Sequence, residues 1–193
     1  MKVAFIGTHG VGKTTLCFDL AALLKRQDLH VDIVKEVARL SPLPINQKTT
    51  LEAQLWILTT QVAEEIRSAA HHRVVVCDRS VLDNYAYMVF ACGRQKPIER
   101  FVDFWLKSYD LLFKVPLALA PASEDGVRDT DEFFVRGIDQ LVNQLLQEKK
   151  VAHQLLPPGE RERCPGCTSG SSRGAKACPV PCGPCRACSA IRR

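Results

Sequence analysis

One run of eight residues constrains this chain more than any other: Gly7-Thr8-His9-Gly10-Val11-Gly12-Lys13-Thr14. It satisfies the pattern G-x-x-x-x-G-K-[ST] in full. An apolar run over residues 2–6 precedes it, and Leu16, Leu20, Leu23 and Leu24 follow at helical spacing. The expected local structure is a buried strand that turns through three glycines into a helix N-terminus. That arrangement is built for an anion. Gly7, Gly10 and Gly12 let the backbone turn tightly and come close to phosphate. Successive N–H groups then point inward as a nest, and the positive end of the following helix adds to the field. Lys13 brings a mobile positive charge to the terminal phosphates, and the Thr14 hydroxyl suits a bound Mg²⁺. The expected nucleotide contacts are Gly7, Thr8, His9, Gly10, Val11, Gly12, Lys13, Thr14 and Thr15, with His9 acting through its backbone.

The next segments alternate in type. Strands are predicted at 2–6, 31–35, 73–77, 111–115 and 151–156, and helices at 14–27, 48–71, 80–92, 97–109 and 131–149. On the long second helix Leu51, Leu55, Leu58, Val62 and Ile66 form one apolar stripe, with Glu64, Glu65 and Arg67 off it. The last helix carries Phe134, Ile138, Leu141 and Leu145 on one side. Strands that alternate with helices imply a three-layer α/β fold with a mainly parallel five-stranded sheet.

Asp78 follows the β-branched run Val74-Val75-Val76-Cys77, so it stands at the carboxyl end of a buried strand, where ligands of such sheets bind. There it is suited to hold magnesium through water or to accept a proton from a substrate. Its competing role, as a helix cap, falls equally well to Ser80. Arg79 occupies the position where motor-type ATP hydrolases carry a second carboxylate. The base-reading Asn-Lys-x-Asp motif of GTPases does not occur in the sequence. Both features direct the reading from hydrolysis toward phosphoryl transfer to a small acceptor.

Together, Gly7–Thr14, Asp78-Arg79-Ser80 and Asp125-Gly126-Val127-Arg128 resemble the P-loop kinases of nucleosides and nucleotides. The likeness is to the AAA-type ATP-binding branch near the ribosylnicotinamide kinase domain of NAD-metabolism regulators, over about residues 1–156. The resemblance implies a sheet ordered 2-3-1-4-5, ATP with Mg²⁺, a small-molecule phosphoryl acceptor and a mobile lid. It makes Lys13, Asp78, Arg79, Arg128 and Glu36 the catalytic candidates, and Thr14 and Asp78 the metal-binding ones. Arg128, in the loop 116–130, would close over the phosphates and exclude water. Arg136 is a weaker candidate for that task. Glu36 would meet the acceptor hydroxyl, as general base or by orienting it, and Arg39 would bind a phosphate already on the acceptor. Gln54 and Gln61 share a helix face where similar kinases read a base edge, though exposed helix formers fit the pattern as well. Trp56 and Tyr85 are read as core or half-buried rather than base-stacking residues. An alternative function is a regulatory ATP-binding module without an acceptor.

Residues 157–193 are different. They hold six of the eleven Pro, five of the eleven Gly and six of the nine Cys, with Val180 and Ile191 as their only large apolar residues. Such a segment buries too little surface to offset the entropy of ordering it. The chain is therefore read as a kinase-like domain, 1–156, and a disordered tail, 157–193. Cys164-x2-Cys167 and Cys182-x2-Cys185 come close to a four-thiolate zinc pattern, but the intervening residues show no strand pattern for a zinc ribbon. The tail also carries the whole net charge of +5, since residues 1–156 hold 19 basic and 19 acidic residues. The main body thus has no basic bias that would favour nucleic acid. Cys17, Cys77 and Cys92 read as buried free thiols of a reducing compartment. No apolar run reaches the length of a membrane span, and the expected location is cytoplasmic.

Overall fold

A computed structural model describes residues 1–117 and 132–157. The candidate lid residue Arg128, the Asp125–Arg128 motif and the cysteine-rich tail lie outside the described residues. Among those described, the elements alternate as expected: β1 (Lys2–Ile6), α1 (Lys13–Lys25), β2 (Val31–Val34), α2 (Leu51–His71), β3 (Val74–Asp78), α3 (Val81–Cys92), α4 (Lys96–Leu106), β4 (Leu111–Lys114), α5 (Glu132–Glu148) and β5 (Gln154–Leu155). Short 3₁₀ turns at Val37–Leu40 and Asn46–Lys48 join β2 to α2.

The strands form one parallel sheet in the order β2-β3-β1-β4-β5. β1 lies between β3 and β4, with Phe5 opposite Asp78 in one register and opposite Phe113 in the other. Side chains alternate across the sheet. Ala4, Ile6, Val75, Cys77 and Leu112 enter the main core with Leu58 and Val62 of α2, Leu82 and Tyr85 of α3, Val102 of α4, and Ile138 and Leu145 of α5. Val3, Phe5, Val74 and Val76 alternate onto the other face and are equally buried. α1 packs against β1, β2 and β3, with Leu20, Ala21 and Leu24 buried. Among the described residues no helix is long and apolar enough to cross a membrane.

Helix boundaries follow the capping chemistry. α2 starts at Leu51 rather than 48 because the Thr50 hydroxyl accepts the Ala53 N–H at 3.3 Å. Ser80, and not Asp78, caps α3: its Oγ accepts the Leu82 N–H, and Asp83 completes a capping box. β3 runs one residue past the expected end, so Asp78 is the last strand residue. β5 is only two residues long.

The apolar stripe expected on α2 holds through Val62 and then fails. Ile66 is 55% exposed and Glu65 is fully buried. Glu65 is compensated by donors from other elements: Lys2 Nζ (2.9 Å), Trp105 Nε1 (2.7 Å) and the Tyr109 hydroxyl (2.6 Å). Gln54, Gln61 and Ser68 are buried on the same side, so the exposed reading of the two glutamines is wrong. Tyr85 and Met88 are core residues, and Trp56 is half-buried. Cys17 and Cys77 are buried free thiols, whose ionisation burial pushes well above the ordinary cysteine range, and Cys92 is half-buried.

Candidate functional site

β1 and β3 are neighbours and run in the same direction, so the segments that leave their carboxyl ends meet. The glycine loop leaves β1 and Asp78-Arg79-Ser80 leaves β3. Gly7 takes φ +141°, and a Cβ there would stand 2.7 Å from the Val115 carbonyl oxygen. Only glycine fits that turn. Gly12, at φ +90°, is the N-cap of α1, and Lys13 is its first residue. The Thr8 side chain is buried and its hydroxyl has no hydrogen-bond partner among the described residues.

Lys13 is buried at 5% exposure, and its Nζ donates to the Thr8 carbonyl at 2.6 Å. Burial, and then the positive charge of Arg79, lowers its pKa to about 8; Asp83, Asp78 and Glu36 oppose the shift. An ammonium held away from water in this way favours an arriving anion, which restores the charge balance. The Thr14 hydroxyl donates to Asp78 Oδ2 at 2.6 Å. This brings two hard oxygen donors together at the carboxyl end of the sheet, the donor type that magnesium prefers. Thr15 follows Thr14 in the first turn of α1 and is exposed.

A second group of charged side chains lies toward β2. Arg79 is buried in a left-handed conformation, φ 85°. Its Nε and Nη2 donate to Glu36 Oε1 at 2.8 and 2.7 Å, while the buried Nη1 meets no hydrogen-bond acceptor among the described residues. Its guanidinium lies 4.8 Å from the centre of the Tyr87 ring. Arg39 Nε donates to the other Glu36 oxygen at 3.0 Å. The charge of Arg79 is the main cause that lowers the Glu36 pKa to about 2; burial opposes it, and Lys13 with the hydrogen bonds from Arg79 and Arg39 assists. A carboxylate so well satisfied is a poor proton acceptor at neutral pH and a good hydrogen-bond acceptor. Of the two roles open to Glu36, orientation of a hydroxyl fits its electrostatics.

These side chains line a small cavity of about 40 Å³ together with Gln54, Ile57, Asn84 and Tyr87. Gln54 Oε1 and Asn84 Nδ2 are buried and find no hydrogen-bond partner among the described residues, one an acceptor and the other a donor. A larger depression of about 620 Å³ lies beside Asp110 and Lys149 at the other end of the sheet, away from the loop. His9 does more than lend its backbone: its Nδ1 lies 2.8 Å from the Tyr87 hydroxyl, which also accepts the His9 N–H at 3.3 Å. Arg136 is exposed and paired with Glu132.

Sequence reasoning missed Asp83, Asn84 and Tyr87. Their signal was position: all three fall in the first two turns after Arg79, and Tyr87 stands four residues after Asp83 and three after Asn84, the spacing of one helical face.

A family model described as an AAA domain matches residues 2–163. No curated protein matches the sequence. The fold is similar to that of deoxyadenosine kinase from M. mycoides with bound dATP: TM-score 0.58, 17% identity, 82% of this chain and 91% of that one. It is similar also to thymidylate kinase from Ehrlichia chaffeensis: TM-score 0.59, 17% identity, 81% of this chain and 91% of that one.

Proposed function

From a chain that belongs to the AAA-domain family and shares its fold with nucleoside and nucleotide kinases, we propose ATP-dependent phosphoryl transfer to a small nucleoside-like or nucleotide-like acceptor. The loop amides from Gly7 to Thr15 and the Lys13 ammonium hold the triphosphate. Thr14 and Asp78 hold Mg²⁺, which when bound neutralises charge that develops on the phosphate oxygens. Arg79 and Arg128 stabilise the transferring group. Glu36 orients the acceptor hydroxyl. Gln54 and Asn84 offer an acceptor and a donor to the amide edge of a base or carboxamide. Catalysis of this type is mainly positioning and charge stabilisation.

The observation that carries the reading is the pair Thr14–Asp78, 2.6 Å apart beside a buried Lys13. One experiment tests it: ATP consumption is followed against a panel of nucleosides, nucleotides and ribosylnicotinamide, with Lys13→Ala as control. Acceptor-dependent ADP release that Lys13→Ala abolishes is the expected result. ADP release that Lys13→Ala leaves intact defeats the assignment. The small size of the acceptor-side cavity favours a second reading, a regulatory ATP-binding module. That reading predicts ATP binding with no acceptor that raises turnover.

A further inference from the structure

Asp83 is fully buried in the first turn of α3, and both of its carboxylate oxygens are used. Oδ2 accepts the Ser80 N–H and the Ser80 hydroxyl, each at 2.8 Å. A capping box needs no more than the first of these bonds. Oδ1 leaves the helix and accepts the Gly7 N–H at 2.7 Å. One carboxylate therefore joins the first glycine of the phosphate loop to the turn that carries Arg79.

That turn is held from its other side too. The Val81 N–H donates to the Tyr109 hydroxyl at 3.1 Å, and this hydroxyl donates to Glu65 Oε1. Gln61 Nε2 reaches both Glu65 Oε1 (2.9 Å) and the Arg79 carbonyl (3.4 Å). The Arg79 N–H itself donates to the Phe5 carbonyl of β1 at 3.2 Å. These bonds account for the persistence of a left-handed, non-glycine Arg79. They also leave the turn little freedom except to move together with what holds it. Of these holders, Asp83 grips the phosphate loop itself.

We propose that Asp83 is a positioning residue which couples the state of the phosphate loop to the placement of Arg79. When a triphosphate draws the loop amides inward, the Gly7 N–H moves, and the carboxylate transmits that shift to residues 79–82. The proposal rests on the nucleotide-binding reading given above. A rigid packed link of this kind carries coupling because hydrogen-bonded cores are not continuously deformable.

Hydrogen exchange of the full-length chain, with and without AMP-PNP and Mg²⁺, tests it. In the wild type, the nucleotide is expected to slow exchange over residues 7–15 and also over 80–82, the latter by about tenfold, within the usual range of coupling between sites. Asp83→Asn keeps one oxygen for Gly7 but turns an amide toward the Ser80 N–H. It is expected to retain slowing over 7–15 and to lose the nucleotide-dependent change over 80–82. A purely structural role predicts something different: faster exchange over 80–82 by the same factor with and without nucleotide. That result overturns the proposal, as does linked slowing that survives in Asp83→Asn. A variant that binds no nucleotide makes Asp83 part of the loop's own framework and also overturns it. If the variant fails to fold, the wild type decides: linked slowing supports the coupling and its absence refutes it. A wild type with no slowing over 7–15 removes the nucleotide reading itself, and the coupling with it.

Discussion

Replacing Lys13 by methionine is expected to stabilise the nucleotide-free protein while destroying its nucleotide site. The reason is electrostatic. A folded-state pKa of about 8, against an ordinary 10.5, means that the charged form costs roughly 3 kcal/mol at neutral pH. Methionine has a similar length and no charge to desolvate. The variant gives up the bond from Nζ to the Thr8 carbonyl, a loss of about 1 kcal/mol. The net expectation is a gain of roughly 2 kcal/mol, or about 4–8 °C in Tm for a domain of this size. The sign of the pH dependence follows. Below pH 8 both states hold the lysine proton and the full cost is present. Between pH 8 and 10.5 the folded state has released its proton and the unfolded state has not, so the wild type gains stability as pH rises and the gap closes. AMP-PNP with Mg²⁺ at a hundredfold excess over Kd adds about 2.7 kcal/mol to the wild type alone, which reverses the order. Thermal unfolding at pH 7 and pH 10, with and without nucleotide, reads all of this. A variant less stable than the wild type at pH 7 without nucleotide, or a gap indifferent to pH, refutes the reasoning.

Three other outcomes are expected. Glu36→Gln leaves the buried Arg79 guanidinium without its charge partner and destabilises the protein by about 3 kcal/mol, measured by urea unfolding at pH 7. Because the Glu36 pKa is depressed from 4.5 to about 2, its stabilising contribution is complete above pH 4.5 and fades as pH falls through 2; the variant is expected to lack this limb of the wild-type stability curve. Asp78→Asn weakens the Mg²⁺-dependent part of ATP affinity by about 10–100-fold and leaves the metal-free part nearly unchanged, a contrast that calorimetry with and without Mg²⁺ resolves. Gly7→Ala forces a Cβ to within 2.7 Å of the Val115 carbonyl at φ +141° and is expected to cost roughly 2 kcal/mol or more and to abolish nucleotide uptake, read by thermal unfolding and nucleotide titration.

The amino-acid sequence alone carried the glycine turn into a helix, the alternation of strands and helices, and Asp78 at a strand end. Each of these is a local pattern: glycine spacing, apolar period, and a carboxylate after a β-branched run. The order of the strands came from likeness to known kinases, because pairing partners leave no local mark. Tertiary structure decided which polar residues of the helices turn inward. Glu65 reads as solvent-facing by period, but Lys2, Trp105 and Tyr109, 40 to 63 positions away, supply the donors that make its burial possible. Gln54 and Gln61 follow it inside. The pair Glu36–Arg79 joins the ends of two strands, 43 positions apart, and converts a candidate base into an acidic, hydrogen-bonding carboxylate. Asp83 reads locally as one half of a helix cap, and only the meeting of β1 with the start of α3 gives its second oxygen the Gly7 amide. A pattern along the chain encodes what a segment becomes, whereas the charge state and partners of a buried group depend on whichever distant atoms the fold brings within 3 Å.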